Sequence, residues 1–316
     1  MVTTKAYAPA SIGNVSLGFD ILGAALAPVD GQNLGDWVAV SDAEQFSLTV
    51  DGRFADRLPP GTENNIVTKC YDFFQDALAT KGVAKLKVSM HLHKALPIGS
   101  GLGSSASSIV AAFYALNAHA NRPFDKDTLL LMMGELEGQI SGSVHYDNVA
   151  PSYLGGMTLM TGQDAPVALC LPSFEEWYWV ACYSGLSVST AAARRILPKE
   201  FDMQTCLTFG RQIGVFIDAL YRGDKKLASS VMTDVIAEQH RKSLLPHFDE
   251  ARSYAKAQGA LAFGISGSGP TVFAVADSLS TAQAVQTWLN EHYIQNEDGF
   301  SHICKIDTAG TRVVSE

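Results

Sequence analysis

The stretch Pro97-Ile98-Gly99-Ser100-Gly101-Leu102-Gly103-Ser104-Ser105-Ala106 constrains the fold of this chain more than any other. Three glycines at alternate positions remove side chains, so the backbone can approach a ligand closely and adopt dihedrals that other residues resist. Ser107 to Leu116 follows at once, small and apolar nearly all round, which predicts a helix buried on every side. Ser104 and Ser105 then stand at a helix N-terminus, where the first N–H groups lack intrahelical partners and the dipole is positive. Backbone donors, hydroxyl donors and a helix end together make an anion site suited to phosphate. The serine hydroxyls are also hard oxygen donors able to ligate Mg2+.

The loop admits three other readings. Gly101-x-Gly103-x-x-Ala106 matches the loose dinucleotide fingerprint. An NAD-dependent oxidoreductase, however, wants its loop directly after a strand, and here His93 to Pro97 intervene. Asp125 and Asp127 fit the expected ribose acid only loosely. A Walker loop is excluded, because no Gly-Lys-Ser/Thr follows the glycines. A Gly/Ser turn holding no ligand is the plainest alternative. A second loop of similar composition, Ser266-Gly267-Ser268-Gly269-Pro270, weighs against it.

The loop is built for an anion, yet the net charge is −9, from 32 acids and 23 lysines plus arginines. That balance argues against nucleic acid and anionic membranes as partners, since both want a basic field. Backbone N–H groups need no basic surface. At 316 residues, with 47% apolar and 17% charged, the chain supports about two domains of roughly 150 residues each. The Gly- and turn-rich region around Gly155, Gly156 and Gly162 to Pro166 places the boundary, giving units 1–165 and 166–316. The five cysteines are widely spread with no CxxC pair, which fits neither a disulfide framework nor a zinc site. No signal-type apolar segment opens the chain, and no run of about 18 apolar residues occurs. A cytoplasmic protein is expected.

Asp36–Ser41 and Phe46–Val50 read as a short pair of strands. Leu86, Val88, Met90 and Leu92 alternate with polar residues, which predicts a half-buried strand. His91 and His93 fall on its polar face, as exposed positions rather than metal ligands. Strands are further predicted over 177–183, 261–265 and 271–276, and helices over 65–79, 128–137, 205–221, 227–237 and 281–292. The mixed order of elements says α+β in two parts.

Several motifs in order carry a family resemblance. Pro97–Ala106 resembles the phosphate loop of the GHMP kinases, and Gly264–Thr271 their C-terminal glycine motif. Ala8–Asp20 is similar to their first motif in its homoserine-phosphorylating version. His145–Pro151 with Gly155-Gly156, Ser189–Arg194 with Ile196-Leu197-Pro198, and Glu238–Pro246 are similar to the same branch. The likeness runs from about residue 5 to 313, nearly the whole chain.

The resemblance implies a two-domain α+β GHMP kinase fold. Its N-terminal, ATP-binding unit would be ribosomal-protein-S5-domain-2-like and its C-terminal unit a ferredoxin-like α/β sandwich. It implies ATP and Mg2+ as cofactors, with the triphosphate along Pro97–Ser107. Glu137 matches the acidic Mg2+ position, and Ser105, with Ser104 its rival, the hydroxyl ligand. L-homoserine would be the acceptor. Arg194 and Arg241 would hold its carboxylate and Asp20 its ammonium, with Asn14, His145 and Asn148 as hydrogen-bonding neighbours. Family members are often dimers, so a homodimer is expected. Mevalonate and related kinases place an aspartate, the likely base, where counting forward from Glu137 and back from Gly155 puts Asn148. An amide cannot accept that proton. Asp147 is adjacent, but a neighbouring side chain is expected to point elsewhere. The implied chemistry is phosphoryl transfer by positioning, without a strong protein base. A kinase for another small alcohol is the same-family rival.

Overall fold

The computed structural model describes residues 2–314. The strands are β1 (Thr3–Pro9), β2 (Ser11–Gly13), β3 (Leu22–Pro28), β4 (Gly35–Asp42), β5 (Ser47–Asp51), β6 (Val88–His93), β7 (Met157–Met160), β8 (Ala168–Leu171), β9 (Tyr178–Tyr183), β10 (Ala262–Ile265), β11 (Val272–Ala276), β12 (Phe300–Ile306) and β13 (Arg312–Val313). The helices are α1 (Ile66–Thr80), α2 (Ser104–His119), α3 (Lys126–Ser141), α4 (Val149–Leu154), α5 (Thr190–Arg195), α6 (Met203–Arg222), α7 (Lys225–Ser230), α8 (Glu238–Arg241), α9 (Phe248–Ala257) and α10 (Leu279–His292).

One sheet has the order β13-β1-β4-β6-β5, the other β10-β11-β9-β12-β3-β7-β8 with β2 on β3. Period-two alternation explains how the second sheet buries both faces. Along β9, Trp179, Ala181 and Tyr183 join Phe216 and Leu220 of α6 in one core, while Val180 and Cys182 meet α9 and α10 in another. The smaller sheet is covered by α2, whose Ile109, Ala112, Phe113 and Leu116 pack with α1 and α3. No helix among the described residues is long and apolar enough to cross a membrane.

The two-part α+β reading matches this architecture, with several local differences. Asp36–Ser41 and Phe46–Val50 are not partners, because β6 lies between β4 and β5. The buried helix begins at Ser104, as the placing of Ser104 and Ser105 at its N-terminus expects, but runs beyond Leu116 to His119. The helix expected to end near Gly138 runs on to Ser141, and Gly138 is there for close approach: a Cβ would meet Val144 at 2.6 Å. The helix expected over 227–237 stops at Ser230. Beyond it Asp234 turns back to accept the N–H groups of Ile236, Ala237 and Glu238. We retain 1–165 and 166–316 as the proposed division along the chain, but strand pairing crosses it at three places: β3 with β12, β13 with β1, and β7 with β8.

A buried ion pair ties β4, the end of β6 and α2 together. Asp36 and Lys94 are 0% and 2% exposed and in direct contact. Asp36 also accepts the N–H groups of Ala95 and Leu96 at 2.8 and 3.0 Å and the Ser108 hydroxyl at 2.6 Å. Lys94 donates to the Ser104 carbonyl at 3.0 Å, at the first turn of α2. Removing one partner of such a pair leaves a buried charge uncompensated. Asp36→Ala should therefore lower the unfolding free energy by about 3–5 kcal/mol in urea titrations. A loss below about 1 kcal/mol, the level of a surface pair, would refute this role for the pair.

Candidate active site

The phosphate loop is shaped by left-handed backbone at Gly99, Gly101 and Gly103, with φ of 66°, 81° and 65°. At Gly101 a Cβ would also meet the Ser266 carbonyl oxygen at 2.5 Å, so the two glycine loops touch where side chains are missing. Ser266 Oγ donates to the Gly101 carbonyl at 2.5 Å, and the Thr271 N–H to the Ser100 carbonyl at 3.0 Å. The 184–190 segment leans on the same loop, Val188 N–H reaching the Gly99 carbonyl at 2.9 Å.

A cavity of about 570 Å3 opens beside this seam. Ile98, Gly99, Ser100, Gly101, Gly103, Ser104, Ser105 and Ala106 line it; Pro97, Leu102 and Ser107, also expected to hold nucleotide, are not among its lining residues. Leu102 is anchored in the core, and the Ser107 hydroxyl is spent on the Ala8 carbonyl at 2.8 Å. The Ser104 hydroxyl likewise donates to the Leu96 carbonyl at 3.0 Å. Ser105 instead donates to Glu137 Oε2 at 2.7 Å. Burial raises the Glu137 carboxyl above its ordinary range, opposed by the Ser105 bond and by Lys94.

The other end of the cavity collects Asn14, Asp20, His145, Asp147, Asn148, Arg194 and Arg241. The first motif reaches it through strained backbone: Asn14, Val15 and Ser16 take φ of 71°, 47° and 65°, and Asp20 61°. Left-handed non-glycine residues in series are uncommon, and their cost is met by surrounding contacts. Asn14 Oδ1 accepts the Asp20 N–H at 2.9 Å, and its amide donates to the Gly267 carbonyl at 3.3 Å. Asp20 and Arg194, assigned to opposite charges of one ligand, are paired with each other by two bonds of 2.9 Å. Arg194 Nε is buried with no partner. Arg241 is held by the carbonyls of Ala193 and Gly267 at 3.1 and 2.8 Å, and both guanidinium groups pack against Phe19. Asp234 positions Arg241 indirectly, by fixing the start of α8.

Asp147 departs from expectation. Both it and Asn148 face the cavity, because residues 147–148 form the turn into α4 and not an alternating strand. Asn148 donates to Asp147 Oδ2 at 3.3 Å and accepts from Ser11 at 3.0 Å. Burial, with the Asp20 charge second, pushes the Asp147 carboxyl up to about 7. His145 is pushed down, by burial first and Arg194 second. His91 and His93 lie away from the cavity, bonded to Asp51 and packed against Trp37.

Lys94 also lines the cavity and carries no motif signal, although it stands three residues before Pro97. Leu58, Pro59, Asn64 and Ile66, an apolar and amide wall at the α1 end of the cavity, carried no motif signal at all.

The fold recurs among known proteins. The family model for the GHMP kinases N terminal domain matches residues 65–156, and that for GHMP kinases C terminal matches 216–295. The chain belongs to the GHMP kinases, a family of ATP-dependent phosphotransferases. Within that class it is similar to a homoserine kinase from Cytophaga hutchinsonii, at 32% identity and a TM-score of 0.87 over 99% of this chain and 97% of that one. A putative homoserine kinase from Listeria monocytogenes matches at 24% identity and a TM-score of 0.71, over 99% and 100%. Mevalonate kinase of L. major, at 16% identity and a TM-score of 0.66 over 96% of both chains, shares the fold. The oxidoreductase alternative fails on topology: β5–β6 is a parallel pair in an otherwise antiparallel architecture, not the parallel sheet of a dinucleotide fold.

The raised Asp147 carboxyl predicts a pH effect on stability. Between about pH 4 and 7 the unfolded chain is ionised at this residue while the folded chain keeps the proton. Its contribution therefore favours the fold at the low end and is lost as pH rises through about 7. Asp147→Asn should flatten the fall of Tm across this window; an unchanged slope would show that the carboxyl is not held protonated.

Proposed function

We propose that the protein is a homoserine kinase, transferring the γ-phosphoryl group of ATP to the hydroxyl of L-homoserine. One observation carries the reading: the cavity holding the phosphate loop also holds a paired Asp20 and Arg194, with Arg194 Nε buried and unpartnered. An amino acid presents the two charges this pair can exchange. Its ammonium replaces the guanidinium at Asp20, and its carboxylate replaces the carboxylate at Arg194, with Arg241 alongside. An uncharged sugar cannot compensate the separated pair, and a mevalonate-like acid supplies one charge only.

Ser105 and Glu137 fit Mg2+: hard oxygen donors joined at 2.7 Å, with no protein cluster of three or more acidic, His or Cys groups among the described residues. Mg2+ commonly takes one or two protein oxygens and completes its shell with water and substrate phosphates. When bound there it would neutralise charge developing on the phosphoryl oxygens. The loop N–H groups and the N-terminus of α2 orient the triphosphate, while Leu58, Pro59 and Ile66 offer an apolar wall for the base. Asn148, held by Ser11, orients the acceptor hydroxyl and cannot take its proton. A loose transition state needs little deprotonation before attack, so positioning and charge stabilisation carry the rate.

ADP release from Mg-ATP tests the proposal, with L-homoserine against mevalonate and galactose. Homoserine should drive release at least about ten-fold above both, a difference of about 1.4 kcal/mol in transition-state binding. Release with a different alcohol alone would transfer the reading to the rival kinase. The absence of a protein base is tested at Asp147: Asp147→Asn should retain measurable turnover. Abolished turnover with intact folding and homoserine affinity would make Asp147 the base.

A further inference from the structure

Phe19 has no polar side-chain atom, yet it is the common neighbour of the two cations at the acceptor end of the cavity. The guanidinium carbons of Arg194 and Arg241 lie over its ring, 5.5 and 5.2 Å from the centroid. Both fall within the ~6 Å at which an aromatic face attracts a cation. The ring is fixed by its own turn. The Gly18 N–H donates to the Asn14 carbonyl at 2.8 Å and the Leu22 N–H to the Gly18 carbonyl at 2.9 Å. Asn14 Oδ1 accepts the Asp20 N–H at 2.9 Å, which holds the peptide joining Phe19 to Asp20. Ring and carboxylate therefore reach the arginines as one unit.

Two guanidinium groups against one ring repel each other. Burial first, and then the Arg194 charge, lower the pKa of Arg241. A second carboxylate in place of the ring would relieve that repulsion, but it would occupy N–H donors and repel an incoming carboxylate. A ring face attracts both guanidinium groups and takes none of their donors. The demand is greatest at Arg194. Its hydrogen-bonding partners among the described residues are Asp20, by two bonds of 2.9 Å, and His145, at 3.4 and 3.5 Å. An ammonium that takes Asp20 removes the two short bonds, and the ring remains. Arg241 meanwhile keeps the Ala193 and Gly267 carbonyls. We propose that Phe19 is a positioning residue for the acceptor carboxylate, its ring holding the Arg194 and Arg241 guanidinium groups in place when the Asp20 pair opens. The proposal rests on the homoserine reading of this cavity.

Steady-state kinetics on the full chain, with ring-fluorinated phenylalanines substituted for Phe19 alone, tests this. Each fluorine withdraws negative charge from the ring face and changes the ring volume little. From phenylalanine through the monofluoro and difluoro to the trifluoro ring, the KM for L-homoserine should rise stepwise, about ten-fold in all. The KM for ATP and kcat should hold constant. Substitution by 4-methylphenylalanine separates charge from size, because that ring is larger and richer in electrons; it should keep the wild-type KM for homoserine. A homoserine KM that is flat along the series, one that rises equally for the methyl and trifluoro rings, or an equal rise in the KM for ATP would each overturn the proposal. A wild type that releases ADP with another alcohol and not with homoserine defeats the homoserine reading, on the unsubstituted chain alone, and the proposal with it.

Discussion

The contact between Asp36 and Lys94 determines where the phosphate loop can be. A charge pair sealed from water is costly to bury and is tolerated where further hydrogen bonds complete it. Here the completing groups are the N–H groups that lead into the loop and the hydroxyl and carbonyl of the helix leaving it. Both ends of the Gly99–Gly103 turn are thereby fixed to β4. Flexible glycines can serve as a precise anion cradle because their flanks have no freedom to move. Lys94 also lies beside Glu137, so the same pair adjusts the field at the proposed metal site.

The second constraint is the seam between loops distant in sequence. Gly101 touches Ser266, Asn14 and Arg241 meet the Gly267 carbonyl, and Val188 holds Gly99. Residues near 14, 100, 190, 240 and 267 are brought to one cavity by contacts that end on backbone carbonyls and N–H groups of these loops. The groups proposed to bind phosphate and acceptor therefore share a frame. A small shift at one loop displaces both, which suits chemistry that depends on alignment.

Much of this was legible in the sequence. Alternation in β6, the apolar periodicity of α1 and the all-round burial of α2 follow from local pattern, and the glycine motifs marked the loop. What escaped did so for physical reasons. β3, Leu22–Pro28, is mostly glycine and alanine, and its partner β12 lies far along the chain. The left-handed run at Asn14–Ser16 is imposed by tertiary contact and contradicts local preference. The turn into α4 brings Asp147 and Asn148 to the same cavity, where neighbour-pointing logic borrowed from strands fails. The Asp20–Arg194 pair joins residues 174 positions apart, and no spacing rule reports such a distance.

The position of β3 bears on how the protein is made. This strand ends at Pro28, yet its neighbour β12 begins at Phe300 and the edge of β1 is closed by Arg312–Val313. A nascent chain emerges N-terminus first, at about 5–20 residues per second. Strands β1 and β3 then wait with an unpaired edge until β12 and β13 have been made. Non-local pairing of this kind slows folding and leaves strand edges open to aggregation. A chain interrupted before Phe300 would contain every residue of the glycine loop at 97–107 and still have neither sheet completed.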